Sequence, residues 1–167
     1  MPRSSLVLFN ISKRHNLGNI IRTADALGVE DIVVVGRKQY RTLGAFGTHD
    51  TRRLRHFYTL DEALADLRGG GAEIVAIEIA DDATSVVDEP FTGDTAFLLD
   101  NEGTGLTPDQ LRACDRAIYI PQFGSGASLN VNVAAGIVLH RFASWAELPS
   151  RPHRDGKFIA SPDQEAS

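Results

Sequence analysis

The stretch IPQFGSGASLNVNVAAGIVLHRF, Ile120 to Phe142, decides how this chain folds. At its start, Ala117, Ile118 and Ile120 form a short apolar run that leads into the stretch and that Pro121 closes, as befits a strand end. Gly124, Ser125 and Gly126 then mark a turn. From Ser128 a helical pattern takes over. Val133, Ile137, Val138, Phe142 and Trp145 recur at about 3.6 residues, and Pro149 lies beyond the end. A strand, a glycine turn and a largely core-facing helix make one βα unit. It puts Ser128 and Asn130 at the helix mouth, where unpaired backbone N–H groups need acceptors. These side chains are caps or functional groups, and the two uses are compatible.

The same alternation runs along the whole chain. Strands are expected at Leu6–Phe9, Ile32–Gly36, Glu73–Ile79, Thr95–Leu99 and Ala117–Ile120. Helices are expected at Gly18–Leu27, Leu60–Leu67, Pro108–Cys114 and Ser128–Glu147. The run DIVVVG is β-branched at consecutive positions, which suits a strand buried on both faces of a parallel sheet. Thr59 with Glu62, and Thr107 with Gln110, spell capping boxes, the second with Pro108 at the first helical position. Gly28 is placed to end the first helix. Strands alternating with helices indicate an α/β fold with a mostly parallel sheet. Arg37 to Phe57 has no clean period and reads as a loop with room for a short helix. One domain is expected over residues 1–149, with a polar, flexible tail over 150–167.

Composition narrows the class. The chain has 167 residues, 43% hydrophobic and 23% charged, as in a soluble globular domain with a real core. A single cysteine, Cys114, excludes an internal disulfide and points to a reduced, cytoplasmic compartment. The first apolar run is too short for a signal peptide or a membrane span.

The net charge is −5 but unevenly spread. Residues 1–60 carry ten Lys and Arg against four Asp and Glu, whereas residues 61–120 carry three against fourteen. Such asymmetry hints at a polyanion-binding face, with Lys13, Arg14, Arg22, Arg37, Lys38, Arg41, Arg52, Arg53 and Arg55 as its cations. The competing reading is that these charges are merely solvated.

Several chemistries are missing. There is no GxxxxGK[ST] loop, no GxGxxG after the first strand and no GxSxG elbow. The five histidines show no metal-ligand spacing. Three polar, glycine-marked stretches remain. The first is NLGNIIR, in which Asn16 and Arg22 sit six residues apart at the start of an amphipathic helix. The second is FLLDNEGTGL, Phe97 to Leu106, a buried strand running into Asn101, Glu102 and two glycines. The third is the stretch quoted above. The second and third leave the carboxyl ends of strands, where open α/β sheets bind ligands.

Taken together these stretches resemble the three signature motifs of the SpoU/TrmH family of RNA ribose 2′-O-methyltransferases, in the SPOUT superfamily. The first pattern, N-x-G-x-x-x-R, is matched in full. In the second, Asp100 stands where Gly is usual. In the third, Gln122 replaces the usual Met and Asn132 stands where Ser is common. The resemblance covers about residues 5 to 147.

The resemblance implies a Rossmann-like, mostly parallel sheet whose C-terminal part forms a deep trefoil knot. It implies S-adenosylmethionine as cofactor, a homodimer whose active site draws on both subunits, and RNA as substrate. For a chain this compact it points to tRNA, with ribosomal RNA as the alternative. By similarity the cofactor's adenine lies against Ile77, the turn of Asp100, Asn101 and Gly103, Ile120, and Ser128 with Leu129. Glu102 either holds its loop or steers the sulfonium. Asn16 orients Arg22 or the substrate, and Asn130 belongs to the substrate side. The family proposal makes Arg22 the base that takes the 2′-hydroxyl proton. A guanidinium holds its proton tightly, so a phosphate clamp that offsets alkoxide charge is the sounder physical role. Other readings are a base-nitrogen methylase of the same superfamily, a small-molecule methyltransferase and a non-catalytic RNA-binding protein.

Overall fold

The computed structural model describes residues 1–11, 14–36, 54–100, 105–126, 128–154 and 157–158. Seven strands form one sheet: β1 (Ser4–Phe9), β2 (Asp31–Val35), β3 (Leu54–Phe57), β4 (Glu73–Ile77), β5 (Thr84–Ser85), β6 (Thr95–Leu99) and β7 (Arg116–Tyr119). Their order is β3-β2-β1-β6-β4-β7-β5, and every pairing is parallel. Four helices accompany them: α1 (Arg14–Ala26), α2 (Leu60–Gly69), α3 (Pro108–Arg112) and α4 (Val131–Trp145).

An all-parallel sheet needs cover on both faces, and the strands are apolar at consecutive positions for that reason. Leu6 and Leu8 of β1 pack with Phe97 and Leu99 of β6 in a layer shared with Ile20, Ile21 and Ala24 of α1 and Val138, Leu139 and Phe142 of α4. Val7, Ala96 and Leu98 point the other way, into a layer with Leu60, Ala63, Leu64 and Leu67 of α2. Burying each large aliphatic side chain stabilises the fold by roughly 1.5–3 kcal/mol. Phe91, Phe97, Phe142 and Trp145 close the first layer, with Phe91 edge-on to Phe97 at 5.9 Å and to Phe142 at 5.3 Å between ring centres.

The local signals hold in detail. Thr59 and Thr107 both form complete capping boxes, and Pro108 occupies the first turn of α3. Gly28 stops the chain after α1 with φ +76°, a conformation that costs an L side chain energy.

Four expectations need correction. The strand expected over Glu73–Ile79 ends at Ile77, which releases Glu78 and Ile79 from the sheet. The last helix begins at Val131, so Asn130 is its cap and Ser128 lies outside it. The segment read as a loop ends in β3, an edge strand made by Leu54–Phe57; residues 37–53 lie outside the described residues. The polar tail contains a small antiparallel pair, β8 (His153–Arg154) with β9 (Lys157–Phe158). Short polar strands such as these carry no periodic signal. β5 escaped for the same reason, as did the short 3-10 turn at Val86–Asp88.

Candidate active site

All the carboxyl ends of a parallel sheet lie on one side, and each of the three motifs follows the carboxyl end of a strand, β1, β6 or β7. β4 and β7 are neighbours, with Ile77 opposite Ile118. Arg116 and Glu73 pair across the start of these strands, Nε to Oε1 at 2.7 Å. Beyond the last register the Glu78 N–H still donates to the Ile118 carbonyl at 3.0 Å. The two chains then part around a cleft of about 120 Å3.

The cleft gathers residues distant in sequence. Ile77 comes from β4, Tyr119 and Ile120 from the end of β7, and Gln122, Ser128 and Leu129 from the segment before α4. Ile77, Ile120, Ser128 and Leu129 were all expected at a ligand site. Apolar Ile77, Ile120 and Leu129 make a slot, while Ser128, Gln122 and Glu78 add hydrogen-bonding groups to its lining.

Among the described residues, the other expected ones are not part of the cleft's lining. Asn130 accepts the Asn132 N–H through its side chain at 2.9 Å, and so caps α4. Asp100 is half-buried just past the end of β6. Asn101, Glu102 and Gly103 lie outside the described residues. Asn16 is buried in the first turns of α1, at 7% exposure, whereas Arg22 is exposed on the same helix. Six residues turn an α-helix by about one and two-thirds revolutions, so the two occupy different faces. Neither lines the cleft.

Glu78 was missed. Its Oε1 accepts the Ile79 N–H at 3.0 Å, and its Oε2 accepts the Leu106 N–H at 3.1 Å. In the sequence it sits inside an apolar run and passes for a strand residue; only the early end of β4 turns it toward the cleft. Gln122, noted as a departure from the third motif, also lines the cleft.

The basic face is reduced in one respect. Arg55 sits near the amino end of the sheet, where it pairs with Asp66 at 2.6 Å and with Asp31 at 3.6 Å. Its charge is committed to the fold. Arg3 does the same with Asp94 and Glu30. Lys13, Arg37, Lys38, Arg41, Arg52 and Arg53 lie outside the described residues. Among the described residues, no group of three or more His, Cys, Asp or Glu is placed to hold a metal ion, and no helix is long and apolar enough to cross a membrane.

Known proteins resemble this chain in sequence and fold. The model of the SpoU rRNA Methylase family matches residues 3–140. The tRNA (guanosine(18)-2′-O)-methyltransferase of Escherichia coli is 33% identical over 167 residues, covering 98% of this chain and 73% of the relative. The 23S rRNA (guanosine-2′-O-)-methyltransferase RlmB of Acinetobacter baylyi is 31% identical over 81% of this chain and 57% of its own length. Among solved structures, the SpoU methyltransferase AviRb of Streptomyces viridochromogenes, crystallised with AdoMet, superposes with a TM-score of 0.73 at 26% identity, over 86% of this chain and 58% of that one. The family match spans most of the chain and contains all three motifs, and this protein belongs to the SpoU rRNA Methylase family.

Proposed function

We propose that this chain transfers a methyl group from S-adenosylmethionine to a ribose 2′-hydroxyl of RNA, with tRNA as the substrate. One observation carries the reading. The cleft between β4 and β7 assembles Ile77, Ile120, Ser128 and Leu129 in a chain that is 33% identical to a tRNA ribose methyltransferase. The residues present fit the adenosyl group. Ile77, Ile120 and Leu129 suit a flat ring, and backbone groups at two strand ends, with Ser128 and Gln122, suit its polar edge.

When bound, the cofactor supplies a methyl group made electrophilic by its sulfonium. As the C–O bond forms and the methyl–sulfur bond breaks to release S-adenosylhomocysteine, the protein must hold the ribose oxygen and offset the negative charge that builds while its proton passes to water. We assign that work to Arg22, which clamps the neighbouring phosphate with its planar fork and stabilises the developing alkoxide. Asn16 and Asn130 support the substrate side. Glu102 holds its loop or faces the sulfonium, and Asp100, Asn101 and Gly103 complete the adenine site.

Arg22 is exposed and outside the cleft of its own protomer. That supports a homodimer in which the partner's copy completes the site. The same reading includes the C-terminal trefoil knot implied by the family motifs, a single catalytic domain over residues 1–149 and a cytoplasmic location. The 31% identity to a 23S rRNA methyltransferase favours ribosomal RNA as the second substrate reading.

The test is to incubate the purified protein with tritiated S-adenosylmethionine and total RNA from a strain lacking it. The RNA is then digested and the labelled nucleoside identified. A 2′-O-methylnucleoside from the tRNA fraction is expected. Label in ribosomal RNA would replace the substrate and keep the chemistry. Label on a base would overturn the ribose assignment. Failure to bind the cofactor at all would favour a non-catalytic RNA-binding protein.

A further inference from the structure

Glu78 stands where the carboxyl end of β4 meets Gly105 and Leu106, the end of the second motif. Its two carboxylate oxygens are used separately. Oε1 takes the N–H of Ile79, the next residue, at 3.0 Å. Oε2 takes the N–H of Leu106, twenty-eight residues on, at 3.1 Å. Leu106 is buried against Val7, Ala76 and Leu98 in the α2 layer, so the bond ties a cleft-lining residue to a fixed point of the core.

Gly105 sharpens the picture. It has φ +64°, and a Cβ built there would stand 2.9 Å from Glu78 Oε2. The glycine is needed for its backbone conformation, and a Cβ there would push the end of the Glu78 side chain aside. A side-chain oxygen that accepts a backbone N–H satisfies a donor that folding takes out of water. Losing the acceptor would leave the partly buried Leu106 N–H unsatisfied, which is costly.

We propose that Glu78 is a positioning residue. It holds the Gly105–Leu106 segment against the end of β4, and that bond in turn fixes Glu78, itself part of the cleft's lining. The inference rests on the reading of that cleft as the S-adenosylmethionine site. Glu78 acts through the backbone it binds, and the property that matters is its acceptor oxygen rather than its charge.

The test measures binding of S-adenosylmethionine and of S-adenosylhomocysteine by calorimetry, together with KM for RNA. Glu78→Ala is expected to weaken both adenosyl ligands equally, by about tenfold, or about 1.4 kcal/mol. KM for RNA should stay within about twofold. Glu78→Gln keeps one acceptor oxygen and should recover affinity to within about threefold of the wild-type protein. Loss of the cationic ligand alone, unrepaired by Gln, would mean a direct charge contact and overturn the positioning role. So would wild-type affinity in Glu78→Ala.

Should Glu78→Ala fail to fold, Gly105→Ala strains the same contact and is expected to weaken both ligands with KM for RNA unchanged. Where both variants fold, the penalty of Gly105→Ala should shrink in the Glu78→Ala background, because the clash is with Glu78; additive penalties would count against the contact. A wild-type protein that binds neither ligand would instead overturn the cleft assignment, and this inference with it.

Discussion

Thr23 of α1 donates its hydroxyl to the Asn132 side-chain oxygen of α4 at 2.9 Å. Asn132 in turn gives its backbone N–H to the Asn130 side chain at 2.9 Å. The pair links the helix that carries Arg22 to the residue that caps α4 beside the cleft. Gly136 faces Thr23 at this crossing, and a Cβ there would stand in ordinary contact, 3.5 Å from Thr23 Cγ2. Asn132 occupies a position where the family motif commonly has Ser, and the longer amide is what reaches Thr23.

Asn132→Ala removes the interhelical bond and leaves the cap intact, since the cap uses only the Asn132 backbone. The expected cost is about 1 kcal/mol. For a domain of this size that lowers Tm by about 2–4 °C. Asn132→Ser should behave alike, its side chain being too short to span the gap. Calorimetry that finds both variants as stable as the parent would show that the bond contributes nothing.

Arg22 lies outside the cleft, so its removal should separate turnover from cofactor binding. Arg22→Ala is expected to lower kcat by about a hundredfold or more, the scale seen when one charge-stabilising donor is lost. Affinity for S-adenosylmethionine should stay unchanged. Arg22→Lys keeps the charge without the bidentate fork and should still lose at least about tenfold. Near-full turnover in the Lys variant would refute the clamp.

Burial pushes the Cys114 thiol up to about 11, and its Sγ–H donates to the Gln110 carbonyl at 3.3 Å. The nucleophile in disulfide exchange is the thiolate. At pH 8 the native thiol should therefore react with Ellman's reagent about a hundredfold more slowly than the unfolded chain. Equal rates in native buffer and in guanidinium would contradict the burial.

Arg3 holds the start of β1 against the residue before β6, its backbone N–H and its Nε each 2.9 Å from a different oxygen of Asp94. These bonds hold the Asp94 carboxyl below its ordinary range. A depressed carboxyl contributes stability above its unfolded value, and that contribution is lost as pH falls through the folded one. Arg3 is more than half exposed, so solvent screens the pair and its contribution is small. Asp94→Asn should thus be less stable at pH 7, with the gap narrowing below about pH 4. Urea midpoints at pH 7 and pH 3 test this, and an equal gap at both would rule it out.

Local signals in the chain carried most of the elements. The run around DIVVVG announced a strand covered on both faces, and Val33 and Val35 pack into the layer opposite Ile32. The two Thr caps marked helix starts correctly because capping is a local hydrogen-bond pattern. Asn130 and Ser128 could not be told apart as caps, since both are good acceptors and the first turn of α4 decides between them.

The sequence by itself determined the α/β alternation, the parallel sheet and the residues drawn to its carboxyl ends, because burial periodicity and turn chemistry are local properties. The tertiary structure alone decided that β4 stops at Ile77 and frees Glu78, and that Asn16 and Arg22 part company on α1. It also decided that Arg55 belongs to an ion pair at the far end of the sheet. Each of these depends on which strands become neighbours, and strand neighbours are set by contacts between residues far apart in the chain.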